Sequence, residues 1–289
     1  IAGPTASGKS SFALDFAKKH NGVIINADSQ QVYKDLPILS SQPNKKAFND
    51  VPHKLFNFLD FNKDFSVDHW FVLVKKEIEN ARKKNKTPII VGGTGMYINT
   101  LLNGLKIFPK ISKDLRKRGE EIMKKIGKKN FYENLKKRNK TCVYKINPND
   151  TTRLLRSWEI FEITKSSIYE INKKKKIKKI DGRFFYKILI FPPKEEVYSN
   201  CEKRWKKMIK IGAIKEVKIL LEKEKKMKKE NMIKTIGFKE LKSFLLKKSN
   251  INDANEIALK LTRNYAKRQY TWFRNQFSAN IIFKKKYEK

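Results

Sequence analysis

The chain has 289 residues, of which 67 are Lys or Arg and 29 are Asp or Glu, so its formal net charge of +38 favours a polyanionic partner such as RNA. Two cysteines and three histidines argue against a disulfide scaffold, a cysteine-based zinc site and a multi-histidine metal centre. No apolar run approaches the roughly 20 residues of a membrane span and no secretory signal is visible, so we expect a cytoplasmic protein without a membrane partner.

Strands and helices alternate over the first hundred residues. Strands are predicted at Ile1–Ala2, Val23–Asn26, residues 55–59 and Thr87–Val91. Helices are predicted from the end of a glycine-rich loop to about His20, and from an N-cap at Ser66 to about Lys84. This alternation is typical of an α/β fold built on a parallel sheet.

The pattern changes near Pro109, where the sequence becomes helical and rich in Lys. We predict a core formed by residues 1–109 and 183–289, with an all-helical domain inserted at 110–182. Phe184–Phe191 is predicted to return to the main sheet as a strand, and the rest to be helical. The last helix is predicted from about Asn252 to Gln276, with an apolar stripe at Ala254, Ile257, Ala258, Leu261, Tyr265, Tyr270 and Phe273.

The loop between the first strand and the first helix reads GPTASGKS and matches the phosphate-binding pattern G-x-x-x-x-G-K-[ST] at every fixed position. Its backbone N–H groups and the helix N-terminus attract phosphate, Lys9 adds a positive charge, and Ser10 can hold Mg²⁺. The sequence therefore predicts a P-loop core that binds a di- or triphosphate. The binding residues are expected to be Gly3, Pro4, Thr5, Ala6, Ser7, Gly8, Lys9 and Ser10.

The loop alone leaves the reaction open. P-loop enzymes that hydrolyse nucleoside triphosphates usually place an Asp that assists Mg²⁺ after an apolar strand. Here the strand ending at Val91 runs into Gly92, Gly93 and Thr94, whereas Asp28 follows the earlier strand. A small-molecule kinase and a transferase with a diphosphate leaving group both remain.

Seven segments in order along nearly the whole chain resemble the tRNA dimethylallyltransferase (tRNA isopentenyltransferase) family. They are GPTASGKS (3–10), NADSQQVYKDLPILSSQP (26–43), PHKLFNFLD (52–60), VGGTGMYI (91–98), NPNDTTRLLR (147–156), IKTIGFKEL (233–241) and TRNYAKRQYTWFR (262–274). The resemblance implies transfer of a dimethylallyl group from dimethylallyl diphosphate to the exocyclic amine of a tRNA adenosine. That adenosine lies 3′ of the anticodon in tRNAs that read codons beginning with U. It also implies a helical insertion and Mg²⁺.

The same resemblance implies roles for individual residues. Asp28 would be the general base, as suits a carboxylate at a strand end near the loop. Thr94 and Lys9 would act beside the diphosphate, and Arg204 would reach it as it leaves. Residues matching the family's tRNA contacts are Asp28, Ser29, Gln30, Gln31, Thr94, Arg116, Thr152, Arg153, Leu154, Leu155, Arg156, Lys267, Arg268, Gln269, Trp272 and Arg274.

Some features depart from the family or leave alternatives. Lys34–Gln42 reads KDLPILSSQ where many members have a Gly-Met-Asp-Ile-Gly-Thr-Ala-Lys run, which leaves the conformation of this loop open. An adenylate isopentenyltransferase, a small-molecule kinase and a non-catalytic RNA-binding module are the alternatives. We expect a monomer whose Lys-rich insertion holds the anticodon stem-loop through phosphate contacts.

Overall fold

The computed structural model describes residues 1–105, 108–174, 185–229, 231 and 233–287. The chain forms two compact units: a core unit, Ile1–Asn103 with Ile180–Lys289, and a helical unit, Gly104–Lys179. Within the described residues, no helix is both long and apolar enough to cross a lipid bilayer.

The core unit is built on parallel strands. β1 (Gly22–Asn26) lies between β2 (His53–Lys54) and β3 (Thr87–Val91), and β4 (Ile188–Ile190) pairs with β5 (Ile281–Phe283). Ala2 connects the two sheets, because it forms parallel bridges both to Gly92, just after β3, and to Leu189 in β4. The predicted α/β fold with a parallel sheet is confirmed.

Eight helices are described in the core unit. They are α1 (Lys9–Lys19), α2 (Lys45–Asp50), α3 (Val67–Lys83), α4 (Gly95–Asn103), α8 (Lys194–Lys210), α9 (Ala213–Met227), α10 (Phe238–Leu245) and α11 (Ile251–Gln276). The N-cap predicted for α3 is confirmed, since the Ser66 hydroxyl accepts a hydrogen bond from the His69 N–H. The apolar face of α3 is buried at Trp70, Phe71 and Val74, which anchors the helix to the core.

The helical unit contains α5 (Lys113–Arg138), a short 3₁₀ helix (Lys140–Val143), α6 (Thr151–Thr164) and α7 (Ile168–Lys174). Gly127 interrupts α5 with φ 78°, a backbone conformation that favours glycine. Leu154 and Trp158 of α6 pack with Met123 and Leu135 of α5 in the centre of this unit.

Three sequence predictions in the core unit are corrected. The strand predicted at 55–59 is wrong: β2 ends at Lys54, because Leu55 and Asn57 have positive φ values of 62° and 49°. The strand predicted at 184–191 is limited to Ile188–Ile190 among described residues, and Phe184 lies outside them. The prediction that the chain after Phe191 is helical is wrong at Ile281–Phe283, which form β5.

The stripe predicted for α11 is partly wrong. Ile257 is 48% exposed and Leu261 is 39% exposed, so neither belongs to the buried face. The buried positions recur every three or four residues, as expected for one helix face. They are Ala254, Ala258, Thr262, Ala266, Gln269 and Phe273.

Candidate active site

The phosphate loop runs from the end of the Ala2 bridge into the first turn of α1. A side chain at Gly3 would place its Cβ 2.4 Å from the carbonyl oxygen of Ile190, so only glycine allows the loop to lie against β4. Gly8 is the N-cap of α1 with φ 87° and offers no capping side chain. The first N–H groups of α1 are therefore available to an anion.

Ser7 lies at the centre of this loop and is fully buried. Its hydroxyl has no hydrogen-bond partner among the described residues. Buried polar groups in folded proteins are normally hydrogen-bonded. An oxygen of a bound ligand is therefore a suitable partner for the Ser7 hydroxyl.

Two cations lie beside the loop. Lys9 is buried and its Nζ donates to the carbonyl oxygen of Pro4 at 3.3 Å. Burial lowers the pKa of Lys9; the nearby negative charge of Asp28 opposes this shift and the Arg204 charge adds to it. Arg204 extends from α8 and donates to the Thr5 hydroxyl at 2.6 Å. The structure thus brings both predicted cations to the phosphate loop.

A cavity of about 400 Å³ opens at this loop. Its lining includes Lys9, Ser10 and Arg204 together with Asp28 from the segment that follows β1. A diphosphate at the loop and a nucleophile near the carboxylate would therefore share one space.

Asp28 is held by the segment that follows β1. The side chain of Asn26 accepts the Asp28 N–H at 2.8 Å, and one Asp28 carboxylate oxygen accepts the Gln30 N–H at 3.0 Å. Asp28 is 6% exposed. Burial raises the pKa of Tyr97 and Tyr265, and the nearby negative charge of Asp28 adds to both shifts. The carboxylate is therefore fixed in place at the cavity wall.

Thr94 connects the turn after β3 to the Asp28 segment. Its hydroxyl accepts the Ser29 N–H at 2.9 Å and lies 3.4 Å from the hydroxyl of Tyr265 on α11. The side chain does not cap α4, although the Thr94 carbonyl accepts the Ile98 N–H. The hydroxyl thus helps position the segment that carries Asp28.

Gln269 joins two parts of the site. Its Oε1 accepts the Thr5 N–H at 2.8 Å and its Nε2 donates to the carbonyl oxygen of Gly93 at 2.8 Å. The residue is only 5% exposed. In this arrangement the side-chain amide holds the phosphate loop against the turn after β3; its predicted tRNA contact stays a prediction.

The other predicted tRNA residues of α11 fall into two groups. Lys267, Arg268 and Arg274 are exposed on α11. Trp272 instead packs inward, since a Cβ placed at Gly95 would lie 2.5 Å from its ring.

The side chains of Gln30 and Gln31 form hydrogen bonds to backbone groups of the core unit. Oε1 of Gln30 accepts the Ile236 N–H at 2.9 Å, and Nε2 of Gln31 donates to the carbonyl oxygen of Ser41 at 2.6 Å. Both also line the cavity, so they shape its wall beside Asp28.

In the helical unit, Glu159 holds two of the predicted arginines. This buried carboxylate accepts from Nε of Arg116 at 3.1 Å and lies 3.4 Å from a guanidinium nitrogen of Arg156. Both guanidinium groups stay partly exposed. Four further predicted residues lie on α6. Thr152 and Arg153 are exposed, Leu155 is partly buried, and Leu154 is buried in the core of the unit.

Comparison with known proteins shows the family of this chain. A family model described as IPP transferase matches residues 31–276. The chain belongs to this family. A tRNA dimethylallyltransferase of Pelagibacter ubique is 43% identical over 97% of this chain and 89% of its own length. One from Rickettsia canadensis is 39% identical over 98% and 87%.

Solved IPP transferase structures have the same fold. A eukaryotic dimethylallyltransferase acting on tRNA matches with a TM-score of 0.78 and 28% identity, covering 97% of this chain and 72% of that one. The full-length tRNA isopentenylpyrophosphate transferase of Bacillus halodurans matches with a TM-score of 0.67 and 28% identity, covering 98% and 88%.

Among the cavity residues of this IPP transferase that were not predicted from the sequence are Tyr265 and Lys286. Tyr265 was assigned to an apolar stripe, although it precedes Gln269 by four residues and so lies on the same face of α11. Lys286 also lines the cavity, but it belongs to a run of lysines that looks like an ordinary solvated surface. No local sequence signal separates it from its neighbours.

Proposed function

We propose that this protein is a tRNA dimethylallyltransferase. It transfers the dimethylallyl group of dimethylallyl diphosphate to the exocyclic amine of the adenosine 3′-adjacent to the anticodon, in tRNAs that read codons beginning with U, and releases diphosphate. Membership of the IPP transferase family supports this reaction. The observation that carries it is the single cavity shared by the phosphate loop, Arg204 and Asp28.

The phosphate loop and its two cations suit the leaving group. As the allylic carbon–oxygen bond breaks, the electron pair stays with the diphosphate and its negative charge increases. The N–H groups at the start of α1, the Lys9 ammonium and the Arg204 guanidinium stabilise that charge. Because Lys9 is buried, water weakens its attraction for the diphosphate less than it would at the surface.

Asp28 is suited to accept the proton that the nucleophile loses. The adenine amine forms a bond to the allylic carbon and must lose a proton, which passes to the free oxygen of the Asp28 carboxylate. The Gln30 N–H occupies the other oxygen, so the carboxylate keeps one orientation during the transfer. Thr94 and Gln269 hold the two loops that carry these groups.

The residues present fit a magnesium ion bound largely through the substrate. Mg²⁺ is usually held by one or two protein oxygens plus substrate phosphates. Ser10 and Asp28 line the cavity, and the described residues contain no cluster of three or more His, Cys, Asp or Glu that would hold a metal alone. The ion would be held by the Ser10 hydroxyl and the diphosphate, and when bound it would supply further charge neutralisation at the leaving group.

The tRNA is proposed to contact the exposed basic residues of both units. Arg guanidinium groups donate in a planar fork that suits phosphates and base edges. Arg116 and Arg156 in the helical unit, and Arg268 and Arg274 on α11, offer such groups at the surface, and Lys267 on α11 adds an exposed ammonium group. The target base must leave its stack to reach the cavity. The monomeric state and the cytoplasmic location stay predictions.

The test is incubation with radiolabelled dimethylallyl diphosphate and unmodified tRNA. We expect label in tRNA at the adenosine beside the anticodon, and none in tRNA lacking that adenosine. Parallel reactions with AMP as acceptor and with ATP as sole phosphate donor address the other activities. Label entering AMP but not tRNA, or ATP turnover without prenyl transfer, would overturn the proposal.

A further inference from the structure

The segment that follows β5 lies directly on the phosphate loop. A Cβ placed at Gly8 would lie 2.6 Å from the carbonyl oxygen and 2.8 Å from the backbone nitrogen of Tyr287. The backbone of residue 287 therefore packs against the N-cap of α1. Any side chain at Gly8 would displace this contact.

Several contacts fix this segment to α1. The Tyr287 hydroxyl donates to the Asp15 carboxylate at 3.0 Å. The Tyr287 ring meets the Phe12 ring edge-on at 5.2 Å, and the Phe283 ring lies 5.3 Å from Phe12. On its N-terminal side, β5 pairs with β4. The segment is thus held at both ends beside the phosphate loop.

These contacts place one of three consecutive lysines in the cavity. Lys286 lines the same cavity as Lys9 and Arg204, and its Cγ would lie 3.1 Å from a Cβ at Gly8. Lys284 and Lys285 are exposed and are absent from the cavity wall. The position of Lys286 is therefore distinct from that of its neighbours.

We propose that Lys286 binds the diphosphate of the substrate and of the released product together with Lys9 and Arg204, in a cavity whose wall also includes the exposed Lys203 and Lys207. The proposal rests on the proposed function for the identity of the anion. A diphosphate carries several negative charges on oxygens that extend in different directions. Lys9 follows the loop at the start of α1 and Arg204 extends from α8, whereas Lys286 comes from the segment after β5. Three separate donors suit such an anion.

Calorimetric titration of the full chain with inorganic diphosphate and Mg²⁺ tests the proposal. We expect Lys286→Ala to weaken diphosphate binding by about 10-fold, as removal of a charge-assisted hydrogen bond does. Lys285→Ala is the matched control, since it removes the same charge one residue away, and its affinity should equal that of the wild type. Lys286→Arg should recover part of the loss.

A second variant tests the placement of the segment. Tyr287→Phe removes the hydrogen bond to Asp15 but keeps the ring contact with Phe12, so we expect a smaller loss of diphosphate affinity than in Lys286→Ala. Far-ultraviolet circular dichroism and urea unfolding check that each variant is folded.

The outcomes separate this proposal from the function itself. Equal affinities for Lys286→Ala and the wild type, equal losses in Lys285→Ala and Lys286→Ala, or no binding of diphosphate by the wild type would overturn it. If the wild type prenylates tRNA but Lys286→Ala binds diphosphate normally, only this proposal fails. If diphosphate binding depends on Lys286 but no tRNA is prenylated, only the proposed function fails.

Discussion

The backbone N–H of Thr5 donates a 2.8 Å hydrogen bond to the side chain of Gln269, which lies 264 residues later in the chain. The contact joins the phosphate loop to the last long helix. It makes the geometry of the diphosphate site depend on α11, the helix that also carries exposed basic residues proposed for tRNA binding. One buried amide thus connects the two substrates' binding regions.

We predict that Gln269→Met impairs the diphosphate site. The substitution keeps the side-chain length but leaves the Thr5 N–H and the Gly93 carbonyl without their partner. Diphosphate affinity, measured without tRNA, should fall by about 10-fold or more, because each unpartnered buried group costs about 1–3 kcal/mol and about 1.4 kcal/mol corresponds to a factor of ten. Thr271→Ala, an exposed change on the same helix, is the control. A loss confined to tRNA affinity would mean that Gln269 acts as a tRNA contact.

Thr94 offers a test by conservative rescue. Thr94→Val removes the acceptor of the Ser29 N–H, whereas Thr94→Ser keeps it. We expect the single-turnover rate of prenyl transfer to fall about 10-fold in the Val variant, the effect of one lost hydrogen bond to a partly buried donor, and to stay near the wild-type rate in the Ser variant. Equal rates in the two variants would exclude a role for the hydroxyl.

Glu159 is predicted to support tRNA binding from within the helical unit. In Glu159→Gln the guanidinium groups of Arg116 and Arg156 lose a shared negative partner that is only 3% exposed. We expect weaker tRNA binding in a filter assay and a loss of about 1–2 kcal/mol in urea unfolding, less than for a fully buried pair because both arginines are partly exposed. Diphosphate affinity should not change.

Glu121→Gln is the control for this prediction. It changes an exposed pair with Lys117, whose atoms lie 3.9 Å apart. Surface pairs contribute little, so tRNA binding and stability should stay at wild-type values. If Glu159→Gln and Glu121→Gln have the same effect on tRNA binding and on stability, the burial of Glu159 does not strengthen its ion pairs, and the prediction is contradicted.

His53 gives a pH prediction for stability. Burial lowers the pKa of this side chain below its ordinary value of 6.5, while the hydrogen bond to the Val51 carbonyl opposes the shift. As the pH falls from 6.5 to the folded-state pKa, the unfolded chain binds a proton that the folded chain does not, so stability decreases in this window. The measurement is urea unfolding at pH 5 to 7.5, in which His53→Gln should show a flatter pH dependence. An unchanged pH dependence in His53→Gln would contradict this prediction.

The sequence predicted those parts of the fold whose signals are local. The phosphate-binding pattern, the Ser66 cap of α3 and the long α11 depend on neighbouring residues, and the structure contains all three elements. The strand predicted at 55–59 is wrong because Leu55 and Asn57 adopt positive φ values instead of an extended conformation. β5 could not be predicted because all three of its residues are exposed, so it has no alternation of buried and exposed positions.

The site was predictable in its residues but less so in their connections. Lys9, Asp28 and Arg204 were identified from motif and resemblance, and the structure places all three at one cavity. The amide contacts of Gln269 and the position of Lys286 depend on chain segments more than 170 residues away from their partners. Contacts at that separation leave no periodic or local pattern in a single sequence.

The most direct test of the account compares chemistry with binding in Asp28→Asn. The Asn oxygen can still accept the Gln30 N–H, so the segment should keep its conformation, but the side chain can no longer take a proton from the adenine amine. We predict that single-turnover prenyl transfer falls by about 10²- to 10⁴-fold, as for loss of a general base, while diphosphate and tRNA affinities stay near wild type. Transfer at the wild-type rate in Asp28→Asn would contradict the account.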